Sequence, residues 1–221
     1  MLEVFKIAIA LLGSLIAGIW DLKTSDIPDF VCWIMIGISI LISFIEGNLF
    51  ITLFAGSFLL IFGLVMYFTG QWGGGDGELL VANGMLLATF SNPYGLFLLN
   101  FFINLFFIGA VYSILYVIIY AKLFNKRIYW FSKNGIEKIF IKKINSKNLK
   151  VGDVLGEDIK SLNLSSKRIK GLTETDIKKI QKLKKYVKIK DGVRFGPVFP
   201  ISIIITYYFG NLILYILYAL V

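Results

Sequence analysis

Histidine is absent from the 221 residues, and Cys32 is the only cysteine. The first absence removes Ser-His-Asp and Cys-His nucleophiles and the His-Glu-x-x-His zinc site. The second removes disulfides within the chain and paired-cysteine metal sites. Cys32 lies in an apolar run, where a small packing residue is expected. Charge is scarce as well. Charged residues make up 17% of the chain against 57% hydrophobic, and mean hydropathy is +0.77. An ordinary soluble domain is not this apolar, so the composition implies a multi-span membrane protein. Nothing in the sequence calls for a metal or a cofactor. Any hydrolytic chemistry therefore falls to the acidic residues.

The net charge of +9 is confined to one part of the chain. Lys122 to Arg194 holds 21 of the 23 basic and 7 of the 14 acidic residues, a net of +14. The rest has 2 basic and 7 acidic residues, a net of −5. A polar, basic insert of this kind is expected to rest against anionic lipid headgroups, where each surface Lys or Arg contributes about 1 kcal/mol. Nucleic acid is not an expected partner, because aromatic residues do not interleave with the basic ones on a strand platform.

A helix needs roughly 20 apolar residues to cross a bilayer core of ~30 Å. Six segments approach that: 4–20, 30–45, 50–69, 79–90, 94–121 and 197–221. The fourth is short and could extend back into a glycine stretch. The expected fold is thus a six-helix transmembrane bundle with a small α+β cytoplasmic insert before the last helix. Its domains are 1–121 (five helices), 122–196 (the basic domain) and 197–221 (the final helix). Within the insert, "SKNGIE" and "IKDGVR" carry Asn-Gly and Asp-Gly turn signals between strand-favouring residues. "GLTETDIKKIQKLKKY" reads as a helix capped by Thr173, with Asp176 in capping-box position. Lys122, Lys126 and Arg127 follow the fifth span, which places the insert on the cytoplasmic side and the N-terminus outside. Asn100, Asn104 and Asn211 lie within predicted spans and are expected to hydrogen-bond between helices.

Five acidic residues outside the insert fall in two loops on the same predicted face: Asp21, Asp26 and Asp29, and Asp76 and Glu78. Two carboxylates at one membrane depth on different helices can share a proton, one activating water while the other protonates the leaving group. That would give peptide hydrolysis without His, Cys or metal. Two other classes fit parts of the pattern. A proton-coupled transporter would use paired aspartates but wants them near mid-span, and a membrane anchor for the basic domain leaves both loops unexplained.

The loops also carry motifs. "GGGD", Gly73 to Asp76, matches the Gly-x-Gly-Asp motif of intramembrane aspartyl proteases, and "DLKTSDIPD", Asp21 to Asp29, resembles the first-aspartate motif of their prepilin peptidase branch. "GPVFPI", Gly196 to Ile201, is similar to the proline-containing start of that branch's last span. In this order the three motifs resemble those of the archaeal preflagellin (prearchaellin) and type IV prepilin peptidase family. The resemblance implies that Asp21 and Asp76 are catalytic, that Gly73 and Gly75 position the second aspartate, and that no cofactor is used. It implies archaellin- or type IV pilin-like precursors as substrates, cut after a short basic leader at the cytoplasmic face of the cell membrane. Asp26, Asp29 and Glu78 are candidate contacts for that leader. The cysteine-rich zinc segment of bacterial members has no counterpart in the sequence, which implies cleavage without methyl transfer. The presenilin-like branch has Tyr before its first aspartate; Trp20 stands there in this chain.

Overall fold

The computed structural model describes residues 2–92, 95–123, 140–166 and 171–220. Eight helices are described: α1 (Leu2–Thr24), α2 (Asp29–Ile45), α3 (Leu49–Phe68), α4 (Gly74–Leu87), α5 (Phe97–Leu123), α6 (Glu174–Leu183), α7 (Val198–Phe209) and α8 (Leu212–Ala219). The strands are β1 (Ser91–Asn92), β2 (Gly95–Leu96), β3 (Ile141–Asn145), β4 (Val154–Leu155) and β5 (Tyr186–Lys190). Contacts divide the chain into two units, residues 1–114 with 194–221, and residues 115–193.

The first unit is built as a membrane bundle. Large apolar side chains such as Trp33, Leu41, Phe44, Phe50, Phe54 and Phe58 are exposed on its surface. Small and polar ones face inward. On α1 the buried set includes Ala10, Gly13, Ser14, Ala17, Gly18 and Asp21; on α3 it is Thr52, Gly56, Leu59 and Gly63. Lipid competes for large apolar side chains as well as a neighbouring helix does, so close backbone approach favours small residues at helix contacts. Gly63 and Gly77 show the consequence, since a Cβ on Gly63 would lie 3.1 Å from the Gly77 Cα. Helix α4 sits at the centre, with all nine residues from Leu79 to Leu87 buried.

The chain is a polytopic helical membrane protein, but the simple six-span reading needs correction. Three helices, α1, α3 and α5, are long and apolar enough to cross a membrane alone. Helix α2 has 17 residues and α4 only 14. Burial inside protein explains why α4 can be short: from Leu79 to Leu87 it faces protein, not lipid. The last apolar segment is two helices, α7 and α8, bent by 48° at Gly210 and Asn211. Gly210 adopts φ +63°, which glycine accommodates without strain. Fully buried Asn104 satisfies the backbone groups freed at the break. Its Nδ2 donates to the Gly210 carbonyl (2.7 Å) and to Thr206 Oγ1 (2.9 Å), and its Oδ1 accepts from the Leu212 N–H (2.9 Å). Asn211 differs from expectation. It caps its own helix, accepting from the Ile213 and Leu214 N–H groups.

The second unit holds an antiparallel sheet of order β3-β5-β4. Ile177 and Ile180 of α6 join Val187, Ile189 and Leu155 in its core. The capping box is present: Asp176 Oδ2 accepts from the Thr173 N–H (3.2 Å), and Thr173 Oγ1 from the Asp176 N–H (3.3 Å). The Asp191-Gly192 signal is not a hairpin, because β5 ends at Lys190 and no strand follows it among the described residues. Asp191 instead pairs with Lys142 at 2.7 Å. The Asn134-Gly135 signal lies outside the described residues, as do Lys126 and Arg127.

Candidate active site

Asp21 occupies the last turn of α1 and is only 6% exposed. The Gly196 N–H donates to its Oδ2 at 2.8 Å. A Cβ on Gly196 would come within 3.0 Å of both the Asp21 Cβ and Oδ2, so glycine is what allows that amide to reach the carboxylate. Gly18, one turn earlier, lies against the Gly196 carbonyl and Pro197, each 3.1 Å from where its Cβ would be. The segment entering α7 is thereby clamped to the end of α1. Arg194 strengthens the clamp, donating from Nε to Ser25 Oγ (3.1 Å) and from Nη1 to the Leu22 carbonyl. A guanidinium at a helix C-terminus satisfies a free carbonyl and faces the negative end of the dipole.

Asp76 stands in the first turn of α4, half-buried. Gly73 is the N-cap, and its N–H donates to Asp76 Oδ2 at 3.1 Å. Gly74, Gly75 and Gly77 are helical. The stretch that reads in sequence as a flexible loop is mostly the opening turn of the central helix.

The two aspartate motifs touch. Ile27, buried at 4% exposure, packs against Gly75 so closely that a Cβ there would lie 2.7 Å from the Ile27 Cβ. Pro28 follows as the N-cap of α2, with φ −74°. The Ile-Pro pair is therefore the seat for the glycine turn, and Asp21 comes close enough to act electrostatically on the Asp76 carboxyl. Asp26 and Asp29 are exposed. Glu78 lies within electrostatic range of both, and its Oε2 is buried without a hydrogen-bond partner among the described residues. Five predicted site acids thus gather in one region, with Asp21 the most buried of them.

Residues that the sequence reading missed hold this region in place. Trp72, just before the motif, stacks on Phe106 (5.7 Å between centroids, 7° between planes) and contacts Phe62, Phe195 and Phe199. It anchors the start of α4 to α3, α5 and the entry to α7. A tryptophan amid glycines was the available signal. Arg194 carried none, being one of many basic residues in its segment.

The apolar helices define a membrane protein, and sequence comparison adds its class, the peptidases. The model of the type IV leader peptidase family matches residues 8–120, more than half of the chain and including both aspartates. The chain belongs to the type IV leader peptidase family. A search of curated proteins finds no match. The protein is accordingly a multi-pass membrane peptidase, a hydrolase whose family acts on pilin-like precursors.

Proposed function

We propose that the protein is an aspartyl endopeptidase that removes short basic leaders from archaellin- or type IV pilin-like precursors, with Asp21 and Asp76 as its catalytic pair. The observation that carries this reading is the meeting of the two motifs, Ile27 on Gly75, which brings the ends of α1 and α4 together. One carboxylate takes a proton from water as its oxygen adds to the scissile carbonyl carbon. The other gives a proton to the leaving amine as the C–N bond breaks. Gly73 fixes one Asp76 oxygen through its amide, and Gly75 permits the approach of the Ile27 loop.

The cleavage site lies at the cytoplasmic face of the cell membrane, with the N-terminus outside and six helical crossings, α2 and α4 being short ones and α7–α8 a broken one. Charge supports that orientation. Lys23 and Arg194 belong to the Asp21 end of α1, whereas Lys6 at the other end is neutralised by Glu46 at 3.0 Å. The precursor's apolar helix lies in the bilayer, and its basic leader meets Asp26, Asp29 and Glu78. The basic segment, carrying most of the lysines, rests on anionic headgroups.

Co-expression with a leader-bearing precursor tests the reading. Wild type converts it to the shorter form, and Asp21→Ala and Asp76→Ala each leave it uncut. Cleavage that survives both substitutions ends the proposal.

A further inference from the structure

The partnership of α1 and α4 raises a question of depth. Two aspartates on different helices react together only if the helices hold one axial register. The buried face of α1 is shared among its neighbours: Gly13 meets Met35 of α2, Gly18 meets Gly196 and Pro197, and Ser14 meets Asn83 of α4. Hydrogen bonds between the helices, being directional, can set that register.

Two rungs do so. Ser14 Oγ donates to Asn83 Oδ1 at 3.0 Å, both residues being 0% exposed. Asn83 Nδ2 donates to the Leu79 carbonyl at 2.9 Å, which fixes the orientation of its amide. Nearer the chain's start, the buried Lys6 ammonium donates to Glu46 Oε2 and to the Oγ1 of Thr89, two residues past the end of α4, each at 3.0 Å. As position rises from Lys6 to Ser14 on α1, its partner falls from Thr89 to Asn83, so α1 and α4 run antiparallel.

The spacing ties these rungs to the site. Asp21 lies seven residues after Ser14, and Asp76 lies seven residues before Asn83. Seven residues are two helical turns, about 10 Å at 1.5 Å per residue. Equal offsets from one hydrogen bond along antiparallel helices bring both aspartates to the same level on adjoining faces. A slip of one residue moves one helix by about 1.5 Å and breaks a 3.0 Å bond.

We infer that Ser14 and Asn83 are positioning residues, which set the axial register of Asp21 against Asp76. The inference rests on the aspartyl-peptidase reading above. It adds two fully buried residues, each two helical turns from an aspartate.

The test uses the full chain in lipid nanodiscs and a synthetic precursor with a basic leader and an apolar helix. Ser14→Ala removes the hydroxyl at almost unchanged volume. It is expected to lower kcat about 10- to 100-fold, the scale of a misplacement near 1 Å, with KM within about two-fold. Asn83→Ala removes the same bond, so the double variant should be no worse than the poorer single one. Spin labels at the exposed positions Leu22, in the last turn of α1, and Gly74, the first residue of α4, report the helix ends without reference to activity, and their separation should shift in Ser14→Ala. A Ser14→Ala kcat within two-fold of wild type overturns the inference, as does a loss of kcat with unchanged label separation. If Asn83→Ala does not fold, Ser14→Ala decides alone. Asp21→Asn and Asp76→Asn run alongside. Retained cleavage in those variants defeats the aspartyl reading itself, whatever Ser14 does.

Discussion

Gly74 and Gly75 are neighbours in one motif, yet their substitution by alanine should have opposite results. A Cβ built on Gly75 stands 2.7 Å from the Ile27 Cβ and 3.4 Å from the Ile27 carbonyl oxygen. Carbon atoms pack best at about 3.5–4.0 Å, so the Ile27 loop and the first turn of α4 must separate by about 1 Å. Overpacking on this scale costs about 1–3 kcal/mol of stability. Its effect on cleavage should be larger, about 100-fold in kcat, since the displaced turn carries Asp76. Around Gly74 nothing lies within 4 Å of the added atom, and its φ is not positive. Gly74→Ala should stay within about two-fold of wild type, because at a compatible site alanine only narrows the unfolded ensemble. The clash at Gly75 is with a Cβ, which every residue but glycine keeps. Ile27→Ala should therefore fail to rescue Gly75→Ala, whereas Ile27→Gly should restore part of the rate. The assay is initial rate of precursor cleavage by purified protein in nanodiscs, with folding checked by thermal melting. Equal activity of the Gly74→Ala and Gly75→Ala proteins would refute the steric argument.

Two other substitutions follow from single contacts. Asn104→Leu leaves the Gly210 carbonyl and the Leu212 N–H without their side-chain partner, at about 1–3 kcal/mol for each buried group. A lower melting temperature in detergent is expected, and an unchanged one would mean that the break in the last segment is held by other means. Glu78→Lys places a cation beside Asp26 and Asp29 and should slow cleavage of a lysine-bearing leader. Exchanging the leader's lysines for glutamates should then recover the rate; no recovery would remove Glu78 from leader recognition.

Parts of this architecture were open to sequence reading because local chemistry dictates them. Thr173 and Asp176 form their capping box from positions three residues apart, and helix α6 follows. The apolar runs became helices because lipid offers the backbone no partners. Other parts were hidden by the same apolarity. The segment from 197 to 221 is hydrophobic throughout, so its length suggested one span. Gly210 and Asn211, a left-handed residue followed by an N-cap, were the only local sign of the break. Asp191-Gly192 looked like a hairpin turn, yet Asp191 is engaged by Lys142, a partner 49 residues away.

By itself, the sequence determined the class. With no histidine and one cysteine, the carboxylates were the candidates for hydrolytic chemistry, and two glycine- and proline-marked motifs placed Asp21 and Asp76 at helix ends. Composition and spacing suffice there because they act within a few residues. Only the tertiary structure decided how the motifs meet. Ile27 seats Gly75, Gly196 reaches Asp21 across 175 residues, and Ser14 finds Asn83 seven residues from each aspartate. Those contacts depend on which small side chains let two backbones approach, and on which buried polar groups of distant segments meet. Periodicity along one helix cannot reveal either.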